Sequence, residues 1–111
     1  MEKIITFEEF TKVDLRVGTI IEVNDFPEAR NPSYQMVIDF GSLGTRKSSA
    51  QITTLYAKED LLHRQVVAVV NFPKKQIGKF MSECLVVGAV KDQDVCLLSP
   101  EILVKNGSPV V

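Results

Sequence analysis

The chain has 111 residues, 45% of them hydrophobic and 24% charged, and its formal net charge is −1. This composition excludes an intrinsically disordered chain, and the charge excludes a protein that is basic over its whole surface. We expect a single domain over residues 1–111 with a core of about residues 13–99. No apolar run approaches the about 18 residues that a membrane span needs, so we expect a cytoplasmic protein without membrane insertion.

The first predicted strand shows the two-residue period of a strand with one face in a core. Its alternating positions are Val13, Leu15, Val17, Thr19, Ile21 and Val23. Ile20 falls outside this period, so we expect its side chain on the outer face. Gly18 predicts a bulge or sharp bend, which a sheet that curls into a small barrel requires.

The remaining elements follow in the order of a small barrel. Turn-forming residues 25–33 predict a loop, and alternation predicts a second strand over residues 34–40. The polar run 45–51 predicts a third strand, and residues 52–62 have apolar residues near helical spacing. Further strands are predicted at residues 65–71, 85–90 and 95–98. This order is typical of a mainly β, five-stranded OB-fold barrel with a short helix between strands 3 and 4 and terminal extensions.

The sequence predicts two free thiols and no disulfide. If residues 84–90 and 95–99 form a hairpin, Cys96 faces Ala89 and lies too far from Cys84 for an S–S bond. Free thiols are typical of a reducing cytoplasm.

The sequence contains no catalytic or metal-binding constellation. His63 is the only histidine, and one histidine with two cysteines does not supply the four ligands of a structural zinc site. The glycine patterns of dinucleotide and P-loop sites are missing as well. We therefore expect no metal, no cofactor and no enzymatic activity, since even a small esterase built on a barrel would lack a base and a nucleophile.

Positive charge is concentrated in the middle of the chain. Residues 30–80 contain eight Lys or Arg residues against three Asp or Glu, whereas both flanking segments are acidic. Within this region, three lysines lie between Phe72 and Phe80 in a loop. The asymmetry predicts one basic face, with residues 45–51 and the 74–79 loop on the same side. The alternatives are a solvated edge with dispersed charge, and phenylalanines that only anchor the loop to the barrel.

Six sequence blocks, taken in order, resemble one known family. They are VDLRVG at 13–18, DFPEAR at 25–30, IDFG at 38–41, KSSAQI at 47–52, VNFP at 70–73 and SECL at 82–85. They are similar to the tRNA-binding domains found free-standing or appended to some aminoacyl-tRNA synthetases, and look most like the CsaA secretion-chaperone-like proteins. The resemblance implies an OB fold, a two-fold homodimer and binding of tRNA through its overall shape. For CsaA-like members it also implies binding of unfolded or preprotein peptides.

The candidate tRNA-binding residues combine cations, hydroxyls and amides. They are Arg30, Lys47, Ser48, Ser49, Gln51, Asn71, Lys74, Lys75, Lys79, Ser82 and Glu83. The lysines are expected to neutralise phosphates, and the serines and amides to hydrogen-bond bases or ribose hydroxyls. Arg30 keeps a cation where synthetase-appended members have Asn-Ala-Asp-Lys-Leu and this chain has EARNP at 28–32. Glu83 would repel phosphate, so we expect it to accept hydrogen bonds from backbone groups or a base edge.

Two further hypotheses stay open. The resemblance suggests a peptide-binding chaperone for proteins awaiting export, as do Ile20 and Val37, apolar residues at outward strand positions. Alternatively, a dimer partner covers these two side chains. Apolar residues in segments 1–10 and 106–111 are typical of a packed interface, which predicts a homodimer.

Overall fold

A curled antiparallel sheet of five strands forms the body of the molecule. The computed structural model describes residues 3–111. Along the chain its elements are α1 (Phe7–Thr11), β1 (Leu15–Asp25), β2 (Tyr34–Asp39), a 3-10 helix (Gly41–Leu43), β3 (Thr45–Ala50), α2 (Lys58–Leu61), β4 (Gln65–Val69), β5 (Lys75–Ile77), β6 (Phe80–Ser82), β7 (Leu85–Val86), β8 (Gly88–Lys91) and β9 (Asp94–Leu97). The strand order in the sheet is β3-β2-β1-β4-β7.

The two end strands of this sheet approach each other. The backbone N–H of Glu83, just before β7, donates a hydrogen bond to the carbonyl of Lys47 in β3 at 2.7 Å. The barrel is therefore nearly closed, and α2 lies between β3 and β4 in the chain. The prediction of a mainly β, five-stranded barrel with a short helix at this place is confirmed.

The irregularity in β1 lies at Ile21 and not at Gly18. The pairing of β1 with β2 shifts register between Ile20 and Glu22, so Ile21 is the extra residue of a β-bulge. Ile20 is fully buried and Ile21 is exposed, and the prediction that Ile20 lies on the outer face is wrong. Two adjacent isoleucines give no hydrophobic signal that says which one points inward.

Gly18 is required by close packing and not by a bulge. A Cβ atom at this position would lie 2.6 Å from the side chain of Ile38 and 2.7 Å from the ring of Phe40, so side chains of and just beyond β2 pack directly on the backbone of β1. The largest fully buried apolar side chains of the core are Phe40, Ile20, Met36, Ile38, Leu61 and Val66.

The predicted C-terminal hairpin has the expected register and a shorter first strand. Ala89 pairs with Cys96 and Val90 with Val95, and both cysteines are free as predicted. The predicted strand over residues 85–90 is divided at Val87, whose N–H donates a hydrogen bond to β4. Only the two residues of β7 therefore belong to the barrel, and β8 with β9 forms a separate hairpin.

The hairpin of β5 and β6 was predicted as a loop. Lys75 pairs with Ser82 and Ile77 with Phe80, and β6 lies beside β3. Each strand has only three residues, which is too short to show a hydrophobic period. The hairpin matters because it forms one side of the candidate site described below.

The two α-helices are short, and acidic side chains fix their first turns. In α1, the N–H of Thr6 donates to Glu9 Oε1 at 3.0 Å, and the N–H of Glu9 donates to Thr6 Oγ1 at 3.1 Å, which is a capping box. In α2, Asp60 Oδ2 accepts a hydrogen bond from the N–H of Ala57 at 3.0 Å. Between residues 3 and 111 no helix has the length and apolar character needed to cross a membrane.

The C-terminal segment extends the sheet past β1 of its own chain. The N–H of Gly107 donates to the carbonyl of Val17 at 2.7 Å, and the N–H of Val17 donates to the carbonyl of Ser108 at 3.0 Å. The N–H of Val110 donates to the carbonyl of Leu15 at 2.9 Å. These bonds give the first half of β1 backbone partners beyond those that β4 supplies.

The bulge in β1 predicts different consequences for two adjacent substitutions. Ile20→Ala removes a fully buried side chain and should lower the free energy of unfolding by about 2–5 kcal/mol. Ile21→Ala changes a side chain that is 43% exposed and should lower it by less than about 1 kcal/mol. Urea denaturation followed by circular dichroism measures both. Equal losses, or a larger loss for Ile21→Ala, would contradict this register.

Candidate functional site

The polar side chains of β3 lie on two opposite faces of the strand. Lys47 and Ser49 lie on the outer face, and Gln51 follows them just past the end of the strand. Ser48 is fully buried between them, and its hydroxyl donates a hydrogen bond to the carbonyl of Cys84 at 2.9 Å. The two-residue period of a strand is thus present in this run, although hydrophobicity does not mark it.

A groove of about 700 Å³ lies between the end of β3 and the hairpin of β5 and β6. We call it the β3 groove. It is lined by parts of the loop before β2, of β3 and the residues after it, of β5, β6, β7 and β9, and of the turn before β9. Five of the predicted site residues meet here: Arg30, Ser49, Gln51, Lys75 and Ser82. The segment 45–51 and the 74–79 loop therefore lie on the same side of the molecule, as expected.

Four cations in and near this groove have no acidic partner in the part of the chain that the structure describes. Within residues 3–111, no carboxylate oxygen lies within 4.0 Å of the charged nitrogens of Arg30, Lys47, Lys75 or Lys79. Lys74 differs, because its Nζ lies 3.6 Å from Glu83 Oε2. Unpaired cations around a concave surface create a positive potential that attracts anions.

Glu83 connects β3 to the segment before β7. Its Oε1 accepts a hydrogen bond from the N–H of Lys47 at 2.9 Å, and its own N–H donates to the carbonyl of Lys47 at 2.7 Å. This reciprocal pair closes the barrel wall beside the groove. The arrangement matches the expectation that Glu83 accepts a hydrogen bond from a backbone group.

The aromatic side chains near the site support the fold. The rings of Phe26 and Phe80 are 5.4 Å apart, which anchors the β5–β6 hairpin to the barrel, and Lys47 Nζ lies 5.6 Å from the centre of the Phe80 ring. Phe26 is the only aromatic residue among those that line the groove, within the described part of the chain, and it is buried. Phe72 is exposed but lies outside the groove. The groove therefore presents no open ring on which a base could stack.

Two predicted site residues, Ser48 and Asn71, make hydrogen bonds within the protein and lie outside the groove. The hydroxyl of Ser48 is buried and bonded as described above, so a ligand cannot reach it. The side-chain amide of Asn71 donates to the carbonyl of Lys12 at 2.7 Å and accepts from the N–H of Asp14 at 2.9 Å. The amide of Asn71 therefore holds the segment between α1 and β1, and the structure gives both residues supporting roles.

The lining of the β3 groove includes six aliphatic side chains, which we call its floor. Sequence reasoning did not identify this floor. Its apolar residues include Ile52, Ile77, Leu85, Val86, Val95 and Leu97. They come from four separate segments, which the sequence predicts as a short helix (residues 52–62), a loop (74–79) and two strands (85–90 and 95–98). The one sequence feature that indicates this floor is an isolated apolar residue within a polar stretch, such as Ile77.

Cys84 lies in the wall beside Ser48 and adds no charge to the site. Burial raises the pKa of its thiol to about 11, while the hydrogen bond with Ser48 acts in the opposite direction. The thiol is therefore protonated at neutral pH, and it is a poor nucleophile there.

The site is built for binding. Its rim can pair with anions and hydrogen-bond to ribose, base or peptide groups, and its floor can cover an apolar group. Across the described residues, 3–111, no three His, Cys, Asp or Glu side chains are grouped to hold a metal ion.

Comparison with known proteins identifies one family over most of the chain. The model of the putative tRNA binding domain matches residues 15–109. Among solved structures, the chain is similar to the chaperone CsaA from Bacillus anthracis strain Ames, with 47% sequence identity and a TM-score of 0.93, over 98% of this chain and 100% of that one. The CsaA chaperone protein of Picrophilus torridus is similar at 46% identity and a TM-score of 0.91, over 97% and 100%.

Among curated proteins, the chain is similar to one part of methionine–tRNA ligases. It is 38% identical to the ligase of Pyrococcus furiosus over 106 residues, which is 96% of this chain and 14% of the ligase. The chain spans only 14 to 15% of the length of the curated relatives that it matches.

Proposed function

This chain belongs to the putative tRNA binding domain family, and from that premise we propose that it binds tRNA at the β3 groove without catalysing a reaction. One observation carries the proposal. The fold gathers Arg30, Ser49, Gln51, Lys75 and Ser82 from separate segments into a single groove. We also propose that residues 1–111 act as one tRNA-binding domain in the cytoplasm.

The cations supply the electrostatic part of the proposed binding. Arg30 and Lys75 line the groove, and the exposed Lys47 and Lys79 lie on β3 and at the turn between β5 and β6. Among residues 3–111, none of the four has a carboxylate oxygen within 4.0 Å, so none must leave an ion pair there before it meets a phosphate. Pairing with phosphates releases counterions, which supplies sequence-independent affinity.

The uncharged side chains supply contacts that depend on the ligand's chemistry. Ser49, Gln51 and Ser82 line the groove next to the cations. Their hydroxyl and amide groups can bond to 2′-hydroxyls, which distinguish RNA from DNA, or to the edges of exposed bases. Because the groove offers no open aromatic ring for base stacking, we propose that tRNA is recognised through its backbone and overall shape, with little reading of sequence.

A salt titration of tRNA binding tests this proposal. If about four phosphates are neutralised, the log–log slope of the association constant against salt concentration should be near −3. Arg30→Gln and Lys75→Gln should each weaken binding and make that slope about 1 less negative. Fluorescence polarisation with labelled tRNA measures both quantities.

Lys105→Gln is the matched control for these variants. Lys105 is exposed and lies outside the groove, so removing its charge should leave the slope unchanged. Binding that does not respond to salt, or equal losses for all three variants, would contradict tRNA binding at this groove.

A second candidate function is binding of unfolded or preprotein peptides, as in an export chaperone. Two observations favour it: the aliphatic floor of the groove, and similarity over the whole of a protein described as the chaperone CsaA. Ile20 does not contribute to a peptide-binding surface, because its side chain is buried. A peptide could lay apolar side chains on the floor while the rim bonds to its backbone.

Matched substitutions of two leucines test the peptide function. Leu85 lines the groove and is 48% exposed, whereas Leu98 is 47% exposed and lies elsewhere. Leu85→Ser should abolish binding of an unfolded polypeptide at high salt, and Leu98→Ser should not. Calorimetric titration measures both. Peptide binding that is lost with salt, or that survives Leu85→Ser, would count against this function.

We further propose that the protein forms a two-fold homodimer through the surface around α1. Ile4, Phe7 and Val111 are largely exposed there. Phe7 and Val111 line a cavity of about 400 Å³ whose lining also includes Phe10, Val13 and Val110. Exposed apolar side chains grouped in this way are typical of an interface, and a dimer would present two grooves to one tRNA.

Sedimentation velocity tests the dimer. The unmodified protein should sediment as a dimer at micromolar concentration, and Phe7→Ser should shift it towards monomer. Val90→Ser, an equally exposed apolar position on the β8–β9 hairpin, should leave the dimer intact. A monomer in the unmodified protein would overturn the proposal.

A further inference from the structure

We propose that Glu83 is a positioning residue that shapes the β3 side of the groove and, by pairing with Lys74, limits the protein's affinity for RNA. The inference rests on the proposed tRNA-binding function and deepens it. It gives the one acidic residue of the predicted site two separable roles, one belonging to each oxygen of its carboxylate.

The first role is structural and belongs to Oε1. This oxygen accepts the N–H of Lys47 at 2.9 Å, and the backbone N–H of Glu83 returns a bond to the carbonyl of Lys47. Glu83 thereby holds both the N–H and the carbonyl of Lys47, whose ammonium group lies over the Phe80 ring. A neutral amide oxygen could accept the same hydrogen bond, so this role does not need a negative charge.

The second role is electrostatic and belongs to Oε2. This oxygen lies 3.6 Å from Lys74 Nζ. The Glu83 side chain is 21% exposed and that of Lys74 is 65% exposed, so the carboxylate is a largely covered charge facing an exposed cation. A phosphate that approaches Lys74 must compete with this carboxylate and is also repelled by it.

Lys74 therefore differs from its neighbour Lys75. Lys75 has no carboxylate partner among residues 3–111 and lines the groove. Lys75 can meet a phosphate at once, whereas Lys74 contributes only when its ion pair opens. Removing the charge of Glu83 while keeping its hydrogen bond should convert Lys74 into a full phosphate contact.

Glu83→Gln is the variant that separates the two roles. It should bind tRNA more tightly at low salt, with a log–log salt slope steeper by about 1. Its affinity should then fall about fourfold more than that of the unmodified protein between about 50 and 200 mM salt. Glu101→Gln removes the same charge at an exposed position outside the groove and should change neither quantity.

The neighbouring lysines give a second readout, and its first comparison keeps Glu83 unchanged. Lys75→Gln should reduce the slope by about 1, and Lys74→Gln should reduce it clearly less. In the Glu83→Gln background, Lys74→Gln should reduce the slope by the full amount. Fluorescence polarisation with tRNA over a salt series measures all variants, and thermal unfolding confirms that each is folded.

Several outcomes would overturn the inference. An unchanged slope and affinity in Glu83→Gln would show that the ion pair does not restrain Lys74. Weaker binding by a folded Glu83→Gln variant would show that the carboxylate contacts the RNA directly. Equal losses for Lys74→Gln and Lys75→Gln would show that Lys74 is already free. All of these require the unmodified protein to bind tRNA, so a failure of the proposed function is seen separately, as no binding by the unmodified protein.

Discussion

The join between β3 and the segment before β7 is the contact on which the candidate site depends. Reciprocal bonds link Lys47 and Glu83, and the buried Ser48 hydroxyl bonds to the carbonyl of Cys84. These polar contacts close the barrel at a wall that has few apolar side chains. Ser49 and Ser82 are the sequence neighbours of these joining residues and line the β3 groove, so the join that completes the fold also fixes where those two side chains lie.

The sequence predicts this fold well where hydrophobic period and turn chemistry agree, and poorly where they carry no information. The β8–β9 register followed from alternation around a polar turn, and the structure has the same pairs. The bulge at Ile21 was not predictable, because two adjacent isoleucines look alike. The position of Ser48 was hidden for a related reason: within a run of small polar residues, nothing marks the buried face.

The sequence predicts the charged residues of the candidate site, but it does not predict the aliphatic floor. Arg30 and Lys75 were recognisable as cations in a basic region, and the fold brings both to one groove. The aliphatic floor comes from segments far apart in sequence, so only the three-dimensional packing assembles it. A polar rim over an apolar floor suits either an RNA backbone or a peptide. The two ligands are distinguished physically by salt, because only the first relies mainly on ionic contacts.

The pairing of residues 106–110 with β1 affects how the chain folds during translation. Leu15 and Val17 receive backbone partners from residues about 90 positions later in the sequence. A growing chain emerges N-terminus first, so the edge of its first strand stays open until those later residues have left the ribosome. The sheet is therefore completed late in synthesis, although its first strand is made early.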